Sequence, residues 1–227
     1  MSQPGPPQMK LNLTLSPVYR EEDFLVAGCN SKAFRWLERW PEWPACGLIL
    51  SGPPGCGKTH LAEIWRGKAR AKLLDGRNLS SNRDGLQDPG ESVVIEDADK
   101  SNGRALLSIY NGVAERKKSI LLTATTEPQF WSIPLADLRS RLMALPTVKI
   151  NQPDDLLLQA LLVKQFSDRQ VKIEVSVIRY LVERMERSFY MVRRLADELD
   201  AMAFREKRKI TTVLASRALR KIVNTRQ

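Results

Sequence analysis

No run in this sequence approaches the ~18 consecutive apolar residues that a membrane span requires, so no membrane partner is expected. Its start, MSQPGPPQ, has neither a basic n-region nor an apolar h-region, so it does not read as a secretory signal. Cysteine is scarce: Cys29, Cys46 and Cys56 form no C-x-x-C pair and are odd in number, which points to reduced thiols in a cytoplasmic protein. Histidine is scarcer still, with His60 alone. No helix-turn-helix, zinc finger or aromatic nucleic-acid motif is recognisable, and there is no internal repeat, so sequence-specific DNA binding is not expected.

Positive charge is in excess, +10 over 227 residues. Much of the surplus lies in REKRKITTVLASRALRKIVNTRQ, where Glu206 is the only acid. A solvated basic helix surface and a non-specific nucleic-acid contact explain that segment equally well. Hydrophobic residues make up 43% of the chain, ordinary for a protein with a buried core.

Residues 1–20 read as a Pro/Gly/Gln-rich arm. Within it, Gln8-Met9-Lys10-Leu11-Asn12-Leu13 alternates apolar and polar residues like a strand with no evident partner. A helix is expected at Ser31–Arg39, with Ser31 as its N-cap, ended by Pro41 and Pro44 of WPEWP. From 21 to 151 short apolar runs (GLILSG, AKLLD, SVVIED, SILLTAT, TVKI) alternate with helical patterns at Lys58–Ala69, Arg104–Lys117 and Pro134–Leu142. Strands alternating with crossover helices predict an α/β fold built on a five-stranded parallel sheet. From 152 to 227 the strands stop, and four segments with apolar residues at helical spacing predict an all-helical lid.

Gly52-Pro53-Pro54-Gly55-Cys56-Gly57-Lys58-Thr59 fits G-x-x-x-x-G-K-[ST], with a strand running in and a helix running out. The glycines let successive N–H groups turn toward phosphate oxygens, and the helix N-terminus adds its partial positive charge. Lys58 is placed to reach the terminal phosphates, and the Thr59 hydroxyl can ligate Mg²⁺. Cys56 reads as a small side chain of this loop and His60 as a packing or hydrogen-bonding residue in the following turn. The apolar run Val93–Ile95 ends in Glu96 and Asp97, a strand-end pair able to serve Mg²⁺ and an attacking water. Thr125, after the next strand, is either a polar sensor or a simple strand-end hydroxyl.

GPPGCGKTHL, VVIEDAD, LLTATTEP, LRSRL and MVRRLADEL follow one another in an order that resembles AAA+ ATPases, P-loop NTPases with a helical lid. The Lys58–Leu61 continuation, the Ser140-Arg141 pair and Val192–Leu195 are similar to the DnaA-related group, and most to its short Hda type. That resemblance implies ATP or ADP with Mg²⁺ as cofactors, ADP being the expected ligand of the active form. It assigns phosphate and metal binding to Lys58 and Thr59, the catalytic acid to Asp97, the sensor-1 position to Thr125 (usually Asn or Asp), the arginine finger to Arg141 and the sensor-2 contact to Arg193. Glu96 replaces the usual Asp of the Mg²⁺ position and sets its carboxylate about a bond length further out, which leaves turnover at the chain's own site open.

The resemblance also gives the arm a role. Gln8, Met9, Leu11 and Leu13 look like the Q-L-x-L-x-L type motif that grips the replicative sliding clamp, a glutamine fixing register and aliphatic side chains filling a pocket. The implied function is regulation of replication initiation: clamp on DNA recruits the protein, Arg141 completes the ATP site of DnaA, and DnaA passes to its ADP state. Assembly with copies of itself is left open. The alternatives are a DnaA-like helicase loader, a nucleotide kinase and an AAA+ scaffold that binds nucleotide without activating a partner.

Overall fold

The computed structural model describes residues 24–79 and 91–224. The candidate clamp motif Gln8–Leu13 lies outside the described residues. Five parallel strands, β1 (Gly47–Ser51), β2 (Lys72–Asp75), β3 (Val93–Glu96), β4 (Ile120–Ala124) and β5 (Thr147–Lys149), stand in the order β2-β3-β4-β1-β5. Every strand pair is parallel, and β1 lies between β4 and β5, with Ser51 opposite Ala124 on one side and Lys149 on the other.

Alternation along the strands divides the sheet's two faces. Leu48, Leu50, Val94, Leu121 and Val148 point to a layer with α1 (Ser31–Glu38) and α2 (Lys58–Ala69). Ile49, Val93, Ile95, Ile120 and Leu122 point to the opposite layer with α3 (Gly103–Glu115) and α4 (Ala136–Met143). Both faces are therefore buried, which is why the strands read as continuous apolar runs. On the α2 side, Trp65 is fully buried and stacks on Trp43 at 5.3 Å, while Trp40 meets its edge at 5.9 Å. The WPEWP segment that ends α1 thus becomes a wall of the core.

The lid contains α5 (Asp155–Asp168), α6 (Val175–Val182), α7 (Phe189–Glu206) and α8 (Thr212–Asn224) around Leu158, Leu162, Phe166, Leu181, Leu195, Leu199 and Ala215. Asp154 caps α5 by accepting from the Leu157 N–H at 2.8 Å, and Ser188 caps α7 through the Met191 N–H at 3.1 Å. Leu25, Ala27 and Cys29, ahead of α1, pack against this lid core, whereas Phe24 belongs to the sheet layer.

Several expected boundaries move. Ser31 is not the N-cap of α1: Asn30 is, and its side chain makes no capping bond. Asn30 instead accepts from the Ala27 N–H at 2.8 Å and donates to the Leu25 carbonyl at 2.9 Å, tying down the segment that precedes the helix. Helix α3 starts at Gly103 because Asn102 caps it through the N–H groups of Arg104 and Ala105. Helix α4 starts at Ala136, two residues after Pro134. Helix α7 starts at Phe189, which makes Arg193 its fifth residue.

Candidate nucleotide site

The loop from Gly52 to Gly57 joins the carboxyl end of β1 to α2, and contact demands glycine at Gly52 and Gly55 while backbone conformation demands it at Gly55 and Gly57. A Cβ at Gly52 would lie 2.4 Å from the Ile150 carbonyl oxygen. Gly55 has φ +73°, and a Cβ there would meet the Ser188 Cβ at 2.6 Å. Gly57, at φ +97°, occupies the N-cap of α2, so the first turn of that helix opens directly onto the loop. The Phe189 N–H donates to the Gly55 carbonyl at 2.8 Å. The phosphate loop and the first residues of α7 are therefore one contact unit.

Lys58 folds back over this loop. Its Nζ donates to the carbonyls of Gly52 at 2.6 Å and Pro53 at 2.9 Å, and lies 3.9 Å from the Cys56 Sγ. Those bonds hold an ammonium beside the place where phosphate oxygens would sit, and anionic oxygens would compete for it as charge-assisted acceptors. Burial pushes the Cys56 thiol above its usual range, opposed by the Lys58 charge.

A cleft of about 600 Å³ runs between the loop and the lid. Pro54, Gly55, Gly57, Lys58, Thr59 and His60 line it from the loop side, and Arg193 from α7. Gly52, Pro53 and Cys56 lie in the loop but not in that lining, and neither do Glu96, Asp97 and Arg141. Phe24, Leu25, Leu161, Phe189 and Tyr190 give the cleft an apolar and aromatic portion that the motifs did not indicate. His60 packs its ring edge-on against Phe24, with centroids 5.1 Å apart. Of the apolar wall residues, Phe189 stands one turn ahead of Arg193 on the same helix face, a spacing that could have pointed to it.

The strand-end acids behave differently from one another. Glu96 has a buried Oε1 with no hydrogen-bond partner among the described residues. An unpaired buried carboxylate oxygen is costly and fits a hard cation as an oxygen ligand, as would the exposed Thr59 hydroxyl. No group of three or more His, Cys, Asp or Glu able to hold a metal occurs among the described residues. A cation here would need phosphate and water for the rest of its shell, which is Mg²⁺-like behaviour. Asp97 sits in the left-handed region at φ +50°, with its carboxylate 3.4 Å from Arg77 Nε and 3.3 Å from Lys100 Nζ.

Two residues of this edge were given no role by the sequence. Gly76 follows β2, and a Cβ there would approach the carbonyl oxygens of Asp97 to 2.5 Å and Glu96 to 2.7 Å. Asp99 accepts from the Thr125 N–H at 3.0 Å, so Thr125 is anchored through its backbone. Arg141 lies on α4 with its side chain 39% exposed, paired with Asp137 at 3.0 Å and 5.7 Å above the Tyr110 ring.

Residues 154–218 match the family model described as the Hda lid domain. The fold matches domain III of the Thermotoga maritima replication initiation protein DnaA, with a TM-score of 0.75 at 19% identity over 91% of this chain and 98% of that one. A replication initiator DnaA bound to AMPPCP and single-stranded DNA gives a TM-score of 0.69 at 17% identity, covering 86% of this chain and 69% of the other. By sequence, the replication factor C large subunit of Sulfurisphaera tokodaii is 26% identical over 198 residues, 76% of this chain and 42% of the relative. This chain spans less than half the length of the curated relatives it matches. The chain thus combines a segment, residues 154–218, that matches the Hda lid domain with a parallel sheet and phosphate loop in the fold of DnaA domain III.

Proposed function

We propose that this chain binds ATP or ADP with Mg²⁺ in the cleft between its phosphate loop and lid and regulates replication initiation by activating hydrolysis of ATP held by DnaA. The observation that carries this reading is the placement of Arg141: partly exposed on α4, outside the lining of the chain's own cleft, and steadied by Asp137 and Tyr110. An arginine so placed is available to a neighbour's nucleotide. There its guanidinium stabilises negative charge developing on the transferred phosphoryl group, an effect worth about 10³-fold or more in comparable systems.

Within this reading Lys58, Thr59 and Arg193 hold the chain's own nucleotide, Glu96 and Thr59 reach Mg²⁺, and Gln8, Met9, Leu11 and Leu13 tether the protein to the sliding clamp. ADP serves as the ligand of the active form. Hydrolysis at the chain's own site is secondary, because the Asp97 carboxylate is engaged by Arg77 and Lys100.

The test is hydrolysis of labelled ATP bound to DnaA, with this protein added, in the presence and absence of clamp loaded on DNA. Stimulation that needs loaded clamp and fails both with Arg141→Ala and with the combined Gln8→Ala, Leu11→Ala, Leu13→Ala supports finger and tether together. Stimulation by the wild type in neither condition overturns the proposal and leaves a nucleotide-binding scaffold.

A further inference from the structure

Between Ala203 and Asn224 the chain carries seven cations (Arg205, Lys207, Arg208, Lys209, Arg217, Arg220 and Lys221) against one acid, Glu206. All seven are exposed. Two are neutralised: Arg217 pairs with Glu206 at 2.8 Å and Lys221 with Glu198 at 2.6 Å, bonds that tie α8 back onto α7. The other five, Arg205, Lys207, Arg208, Lys209 and Arg220, make no ion pair or side-chain hydrogen bond among the described residues. Four of them crowd into five successive positions where α7 ends. There Lys207, in the left-handed region at φ +51°, turns the chain, and the Arg208 N–H returns to the Ala203 carbonyl at 3.1 Å.

Glu206, already paired with Arg217, is the one carboxylate of this segment, and its charge also reaches Arg205 and Arg208, so a single acid stands against several cations that repel one another. We propose that this α7–α8 corner binds the phosphate backbone of duplex DNA without reading sequence. A regular row of phosphates matches several adjacent cations better than a single anion does. Arginine and lysine together supply forked and point contacts, with release of condensed counterions as the driving force. A bilayer surface fits less well. Helix α8 turns Leu214, Ala215, Ala218 and Ile222 into the lid core, and its exposed valines, Val213 and Val223, stand at opposite ends, so it has no apolar face to insert. None of the five cations lines the nucleotide cleft, and the inference needs neither DnaA nor clamp.

The test is fluorescence anisotropy of a labelled random-sequence 30-base-pair duplex titrated with the full chain across a range of salt concentrations. Five contacts give a salt slope of about −4.5, at roughly −0.9 per phosphate, with a dissociation constant of about 10⁻⁴ to 10⁻⁶ M near physiological salt. Replacing Arg205→Gln, Lys207→Gln, Arg208→Gln and Lys209→Gln together should weaken binding at least tenfold and flatten the slope. ADP affinity and thermal stability should stay unchanged. A control pair on another face, Lys117→Gln with Lys118→Gln, should leave binding intact. Equal losses in both variants would reduce the effect to diffuse charge and overturn the proposal. So would the absence of duplex binding, or binding to phosphatidylglycerol vesicles in place of duplex.

Discussion

The Phe189 N–H donates to the Gly55 carbonyl at 2.8 Å, and Gly55 sits so close to Ser188 that a Cβ would meet the serine Cβ at 2.6 Å. The phosphate loop is thereby fastened to the N-terminal turn of α7, the helix that carries Arg193 into the cleft. A ligand that reshapes the loop must move this turn, and a lid that opens must give up this bond.

Gly55→Ala tests the fastening. The left-handed backbone and the close approach together should cost about 1–3 kcal/mol. That corresponds to a fall of roughly 3–10 °C in Tm and about a tenfold loss of ADP affinity. Unchanged Tm and affinity would show that loop and lid are not held together.

Gly76→Ala tests the strand-end acids. Its Cβ would push on the main-chain oxygens of Glu96 and Asp97, which cannot rotate away as a side chain can. A loss of about 1–3 kcal/mol is expected from such overpacking, with a weaker Mg²⁺ dependence of nucleotide binding. Chemical denaturation and Mg²⁺ titration read the two effects separately.

Cys56 should be the slowest of the three thiols to react with a maleimide at pH 7. It is buried, and burial pushes its thiol upward against the pull of Lys58, so little thiolate is present. Its reaction should speed up as pH rises, and nucleotide binding should be lost in step with it. Cys56→Ala should make binding insensitive to the reagent.

Tyr110 reports on the ground under Arg141. Burial, with a hydrogen bond to Cys46, holds its phenol up to about 12, while Arg141 pulls it down. The usual value lies near 10. The folded state therefore keeps a proton that the unfolded state has lost, and this contribution to stability is complete below about pH 10 and disappears as pH rises toward about 12. Tyr110→Phe should flatten that decline, and in Arg141→Ala the remaining phenol should titrate higher still. Absorbance titration of the wild type should show a late ionisation that Tyr110→Phe lacks.

The parts of this fold that local chemistry dictates were legible in the sequence. The strands declare themselves because a sheet buried on both faces needs continuous apolar runs, and α2 covers the expected Lys58–Ala69 directly after the phosphate loop. Asn30 was not legible as an anchor, because its side chain serves the preceding segment and not the helix it begins. Gly76 and Asp99 were invisible for another reason: each acts on a residue from a different strand, Asp97 and Thr125, and no pattern along the chain records that contact. The lid's share of the cleft wall, Leu161 and Tyr190 among it, depends on packing between the lid and the sheet layer in the same way.

The central claim, that Arg141 acts on ATP bound by DnaA, is tested most directly by single-turnover hydrolysis. DnaA is loaded with labelled ATP and mixed with ADP-bound protein and DNA-loaded clamp, using wild type, Arg141→Ala and Arg141→Lys. The account predicts rapid release of labelled phosphate with wild type, a loss of about 10²-fold or more with alanine and little rescue by lysine, whose point charge lacks the planar fork. Affinity for ADP should be equal in all three proteins. Equal rates of phosphate release from the three would contradict the claim.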